Sequence, residues 1–214
     1  MRSRVQGAQA GSARPEISRE FIAVHKRRRI MDAIAELSAE QGYDATKIGD
    51  VVQRAGVARK TLYDNFDGKE EVFLSAFDSA FDEATRRVEE ACAAAEGDWD
   101  ERLAAGLGAF LGYLAERPAL ARMCLVEALS ATPAAKERYE DALGAFVELT
   151  SRIVPRDDRL PETIDETVVG GVAWIVYQKV RRGEVARVGE LLPELTEFMT
   201  GPYLGAAAAE RTRI

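Results

Sequence analysis

The stretch from Ile30 to Phe77 constrains this chain more than any other, because it reads as helix, glycine corner and second short helix. Ile48, Val51 and Val52 recur at i, i+3 and i+4, one helical face that must be buried. Leu62 and Phe66 repeat that spacing after Gly56. The corner Ala55-Gly56-Val57 needs its glycine, since a sharp helix-to-helix turn commonly drives one residue to positive φ. With Leu62 and Phe66 turned inward, Arg59, Lys60, Thr61 and Tyr63 are left largely outside as donors and ring edges. Such groups suit base edges and phosphates in a major groove, so a DNA-binding helix-turn-helix is expected.

Charge has to be read by position. The 214 residues carry a net charge of −7, which spread evenly would repel nucleic acid. Residues 1 to 70, however, hold 13 basic against 10 acidic side chains, and the remainder holds 16 against 26. A basic first third and an acidic remainder orient a molecule on DNA through one end. With 47% apolar and 30% charged residues the chain can bury a sizeable core, as one large domain or two small ones. No apolar run approaches the roughly 20 residues of a membrane span, and the start lacks the apolar segment of a secretion signal. A cytoplasmic location and no membrane partner are expected.

Residues 1–18 lack apolar periodicity and read as a mobile basic tail, with Arg2, Arg4 and Arg14 as candidate phosphate contacts. Residues 19–66 follow as the helix-turn-helix domain and 67–214 as a second domain, with a fourth helix as connector. The first helix runs from Arg19 to Gln41 and stops at Gly42. The Lys26 to Arg29 cluster on it faces either DNA or solvent. Asp67 followed by Glu70 reads as a capping box that opens the fourth helix beside Lys69, at an N-terminus that favours phosphate. That helix continues to Glu96. Five more are expected over 99–117, 118–131, 133–154, 160–182 and 189–204, each bounded by Gly, Pro or an acidic cap. The fold is therefore all-α, with about nine helices.

The run AEQGYDATKIGDVVQRAGVARKTLYDNFDGKEEVF resembles the N-terminal domain of TetR-type transcriptional repressors. The resemblance rests on Gly42-Tyr43 closing one helix, Thr46 opening the next, Ala55-Gly56-Val57, Leu62-Tyr63 before Phe66, and Lys69-Glu70. It covers roughly the first third of the chain. It implies double-stranded operator DNA as partner and Thr46, Lys47, Arg59, Lys60, Thr61, Tyr63, Asn65 and Lys69 as DNA-binding residues. One departure is Ala58, where many relatives carry a capping Ser or Thr; its absence costs the helix start about 1 kcal/mol unless another group serves.

The resemblance also implies a C-terminal helical domain for ligand binding and dimerisation. Val168, Val169, Val172, Ile175, Val176 and Val180, with Gly170 and Gly171, make a helix apolar on most sides, and Leu191, Leu192, Leu195, Phe198 and Met199 make another. These two last helices are expected to form a homodimer, as a palindromic operator requires two reading heads; burial against each other within one chain is the alternative. Phe110, Tyr113, Met123, Phe146, Trp174 and Tyr177, with Glu127 beside them, line either a pocket for a small-molecule inducer of unknown identity or the core. Glu127 needs a partner, and Arg117 or Arg122 is at hand.

An enzyme is not expected. His25 is the lone histidine, so a nucleophile would lack its base, and no phosphate loop or HExxH pair occurs. Cys92 and Cys124 lack the spacing of a zinc site and read as small apolar residues. No catalytic residue, metal or cofactor is therefore assigned. The reading is a ligand-released repressor; the alternative is a DNA-binding protein with no small-molecule ligand, controlled by a protein partner or constitutive.

Overall fold

A computed structural model describes residues 14–211; the candidate phosphate contacts at Arg2 and Arg4 lie outside it, and side chains are described from residue 21 to 205. Every regular element among the described residues is helical, in the order α1 (Arg14–Gln41), α2 (Ile48–Ala55), α3 (Arg59–Tyr63), α4 (Lys69–Ala94), α5 (Trp99–Glu116), α6 (Pro118–Arg122), α7 (Ala128–Ala131), α8 (Pro133–Ile153), α9 (Ile164–Arg181) and α10 (Leu192–Arg211). A π-helical turn, Met123–Glu127, joins α6 to α7, and a 3-10 turn, Val185–Leu191, leads into α10.

Several boundaries differ from the sequence expectation. Helix α1 begins at Arg14, inside the expected tail, because Pro15 in a first turn removes only an N–H that has no helical acceptor. Asp67 does not cap α4. Gly68 stands at the cap, and Glu71 rather than Glu70 reaches back to accept from the Asp67 N–H. Thr46 does not open α2, which starts at Ile48 with the Asp50 carboxylate accepting from the Lys47 N–H at 3.1 Å. The expected single helix over 118–131 is interrupted by the π turn, in which the Ala128 N–H reaches back to the Met123 carbonyl.

Two apolar cores stack along the chain. The first gathers Ile30 and Ile34 from α1, Val51 from α2, Leu62 and Phe66, and Val72, Phe73, Ala76, Phe77 and Ala80 from α4. It also takes Leu120, Met123, Ala128 and Ala135 from beyond α5, so the second half of the chain closes the first core. The second gathers Leu103, Leu107 and Leu111 of α5 with the valine face of α9 and Leu195 and Met199 of α10. At its far end the buried Asp165 accepts from Tyr203 Oη at 2.5 Å and from the Ser151 hydroxyl, tying α8, α9 and α10 together.

Arg27 locks the reading unit. Its guanidinium donates to the Asn65 carbonyl at 2.9 Å and to Ser75 Oγ at 3.1 Å, and lies 4.2 Å from the Phe66 ring centroid. Arg29 donates to the Gly56 carbonyl at 3.3 Å. Two members of the basic cluster are thus internal clamps. Arg27→Ala removes a half-buried cation–π contact and two charge-assisted hydrogen bonds, an expected loss of about 2 to 3 kcal/mol in urea unfolding. Arg27→Lys recovers only part, because an ammonium cannot fork between two acceptors while stacking on a ring.

Candidate functional site

Two features stand out among the described residues, the α2–α3 unit and an apolar cavity. In the first, Gly56 has φ +60° as the corner requires, and a Cβ there would sit 2.5 Å from Arg29 Nη2. Helix α3 starts at Ala58 with no side-chain cap, as the alanine predicts. Leu62 is fully buried, Thr61 is half-buried, and Arg59, Lys60 and Tyr63 stand exposed together. The Arg59 guanidinium lies 5.8 Å from the Tyr63 ring centroid. Lys47 is exposed beside the start of α2.

Three other expected contact residues have polar groups already engaged. Thr46 is buried and donates to the Gly42 carbonyl at 2.8 Å. Asn65 donates its amide to the Thr61 carbonyl at 2.7 Å, closing the end of α3. Lys69 donates to the Tyr43 carbonyl at 3.0 Å with its ammonium 3.9 Å from the Tyr43 ring centroid, which fixes the start of α4 against the end of α1. Thr46 and Asn65 meet backbone acceptors four residues away, whereas Lys69 meets one 26 residues away that the packing of α4 against the end of α1 brings within reach. Spacing along the sequence does not reveal that.

The cavity, about 150 Å³, lies between α4, α5, α8 and α9. Along α4 its wall runs from Phe77 to Cys92, about 22 Å at 1.5 Å per residue. Its lining contains no Asp, Glu, Lys, Arg or His. Burial holds the polar groups that do reach it in their neutral forms: desolvation raises the Tyr113 and Tyr139 phenols and the Cys92 thiol, and pushes the Cys124 thiol up to about 12. Chemically, the space accepts a long uncharged apolar group and little else.

Of the expected lining residues, Phe110, Tyr113 and Phe146 are on the wall, Phe146 meeting Phe110 and Phe81 edge-on at 5.2 and 5.8 Å. Met123, Glu127, Trp174 and Tyr177 are not. Met123 is fully buried in the first core, and Trp174 is 60% exposed and stacked on Tyr177. Glu127 faces Arg122 at 3.6 Å and lies next to Gly42 at the end of α1, so its partner is one of the two expected; Arg117 instead pairs with Asp32 of α1 at 3.0 Å. The missed wall residues are mostly Ala, Val and Leu, which share helical spacing with ordinary core.

Gly106 lets α5 lie against α4 at this wall. A Cβ there would come 2.4 Å from Cys92 Sγ and 3.2 Å from Val88 Cγ1. Gly106→Ala is expected to lower stability by about 1 to 3 kcal/mol through overpacking, and adding Cys92→Ala to recover much of it. Urea titration of the two single variants and the double variant measures the coupling.

Residues 30–76 match the family model for bacterial regulatory proteins of the tetR family. A fatty acid metabolism regulator of Bacillus subtilis is 36% identical over 62 residues, covering 29% of this chain and 32% of that protein. The transcriptional activator FasR of Mycolicibacterium smegmatis is 24% identical over 156 residues, 73% of this chain and 71% of that one. Among solved structures, the transcriptional regulator FadR from Bacillus subtilis in complex with stearoyl-CoA superposes with a TM-score of 0.71 at 20% identity, covering 80% of this chain and 96% of that chain.

Proposed function

We propose that this chain, which belongs to the tetR family of bacterial regulatory proteins, is a homodimeric transcriptional repressor that leaves a palindromic operator when a long-chain fatty-acyl ligand enters the cavity. The observation that carries the ligand class is the wall itself, long, apolar and without a formal charge. An acyl tail has that shape and chemistry. Stearoyl-CoA, the ligand in the Bacillus subtilis structure, is of the same class.

Arg59, Lys60, Thr61, Tyr63 and Lys47 are the groups proposed to touch DNA, since they stand at the outer side of α2 and α3. Thr46, Asn65 and Lys69 act there by holding the ends of α1, α3 and α4 in place. Dimerisation through α9 and α10 is supported by the exposed Trp174, Phe198 and Leu204 and by Gly170, beside which a Cβ would meet nothing within 4 Å. Gly171 serves the single chain, its face taken by the Phe198 ring. Residues 19–66 form the reading domain in this proposal and 67–214 the sensing domain, with α4 between them.

The test is release of an operator duplex, selected from a random pool, by an acyl-CoA series with free CoA as control. Stearoyl-CoA is expected to release it and free CoA to leave it bound. Phe146→Ala and Tyr113→Ala are expected to shift the half-releasing concentration by roughly 10- to 100-fold, the worth of one aromatic contact, with ligand-free operator affinity nearly unchanged. Operator binding that no acyl chain disturbs would mark a constitutive binder. An unaltered response in both variants would make the two rings core only.

A further inference from the structure

Three arginines lie around the joint between the reading unit and the second core, and two of them are well paired. Arg54 forks onto Glu40 at 2.8 and 2.9 Å and reaches Glu36 at 3.1 Å, and Arg117 holds Asp32 at 3.0 Å. Arg122 is not. Its Nη1 donates to the Arg181 carbonyl at a long 3.4 Å, its Nη2 stands 3.6 Å from Glu127 Oε1, and its buried Nε–H has no acceptor among the described residues. Ser38 Oγ and Thr85 Oγ1 are buried without a partner too, but those are neutral hydroxyls. A guanidinium carries five donors in a fixed fork, and leaving a buried one unused is costly for a charged group.

Arg122 lines an open cleft of about 270 Å³ between α1, α6 and the turn that follows α9. Ala39, Pro118, Ala119, Val180 and Val185 give it apolar walls. Gly183, also on the wall, has φ +79° and nothing within 4 Å of where a Cβ would stand, so the space beside it is open. Helix α6 separates this cleft from the apolar cavity, with Leu120 and Ala121 on the cavity side and Pro118, Ala119 and Arg122 on the cleft side. The two spaces differ in kind: the cavity wall has no formal charge, whereas the cleft has a cation with donors to spare. Glu36 and Glu40 on the rim turn carboxylate oxygens to Arg54, and Arg181 and Arg182 stand exposed where α9 ends, so the rim is balanced in charge.

We infer that this cleft is a second ligand site, for a small carboxylate with a compact apolar body. The carboxylate takes the Arg122 Nε–H and an adjacent Nη–H in the parallel two-bond geometry that a guanidinium fork favours. Arg122 is held by one long hydrogen bond, so a small turn of its guanidinium brings that edge to the cleft. Glu127, beyond hydrogen-bond distance, stays as counter-charge. The apolar body lies against Pro118, Ala119 and Val185, which sets a carboxylic acid apart from a bare anion. Neither operator binding nor an acyl ligand enters this inference.

The full chain, labelled with nitrogen-15 and free of DNA, is titrated with benzoate, with its neutral isostere benzamide and with inorganic phosphate, following the Gly183 amide and the Arg122 Nε–H resonances. Benzoate is expected to shift both saturably, with a Kd about tenfold or more below that of benzamide or phosphate, the worth of a charge-assisted hydrogen bond. Arg122→Gln removes the fork, and Ala119→Phe fills the cleft while keeping the Arg122 side chain; each is expected to weaken benzoate about tenfold or more. Phe146→Ala, in the apolar cavity, is expected to leave benzoate binding unchanged. Ala119→Phe decides the matter should Arg122→Gln not fold, which the amide spectrum reports. Benzamide binding as well as benzoate would make the cleft merely apolar, and phosphate binding as well would make it a bare-charge site. Either result overturns the inference, as does benzoate that shifts neither resonance or that binds Ala119→Phe as tightly as the wild type.

Discussion

One helix of 26 residues has to bury the same face in two different surroundings, and the rest of the molecule follows from that. Val72, Phe73, Ala76, Phe77 and Ala80 of α4 close the first core, Ala84 belongs to the second, and Val88 and Cys92 continue along the cavity. Phe77 and Ala80 do both at once, being core of the reading unit and wall of the cavity. Protein interiors are close-packed and move by discrete repacking rather than by smooth deformation. A ligand that pushes on Phe77 therefore pushes on a residue that the helix-turn-helix needs in place.

A second shared wall reinforces the first. Leu120 lies in the first core and lines the cavity, and the π turn that follows puts Met123 into the core and Cys124 and Leu125 on the wall. The wide turn lets adjacent residues serve both surfaces. Its last residue, Glu127, abuts Gly42 at the end of α1, and Arg117 just before α6 holds Asp32. The two halves thus meet through apolar packing with ion pairs at the margin, partly exposed pairs that fix register more than they stabilise.

Much of this was legible in the sequence. The all-α architecture, the corner at Gly56, the stop at Gly42 and the buried pair Leu62 and Phe66 follow from periodicity and glycine placement, signals that act within a few residues. The π turn was not legible, since MCLVE has ordinary helix formers and its widening answers to two facing cores. Of seven residues proposed for the pocket, Phe110, Tyr113 and Phe146 are on its wall, whereas Trp174 points to the exposed face of α9. An aromatic at helical spacing announces a buried or sticky face without saying which helix covers it. Arg27 and Arg29 gave a similar ambiguity, because a basic cluster reads alike whether it meets phosphate or a carbonyl across the corner.

If α4 is the shared wall, cavity and operator must couple by a single factor measured from either side. The direct measurement is the dissociation constant of stearoyl-CoA for the free protein and for the operator-bound protein, set beside that of the operator with and without saturating stearoyl-CoA. The account predicts that each ligand weakens the other by the same factor, on the order of 5 to 150. A factor of one in both directions, with both ligands bound together, would contradict it.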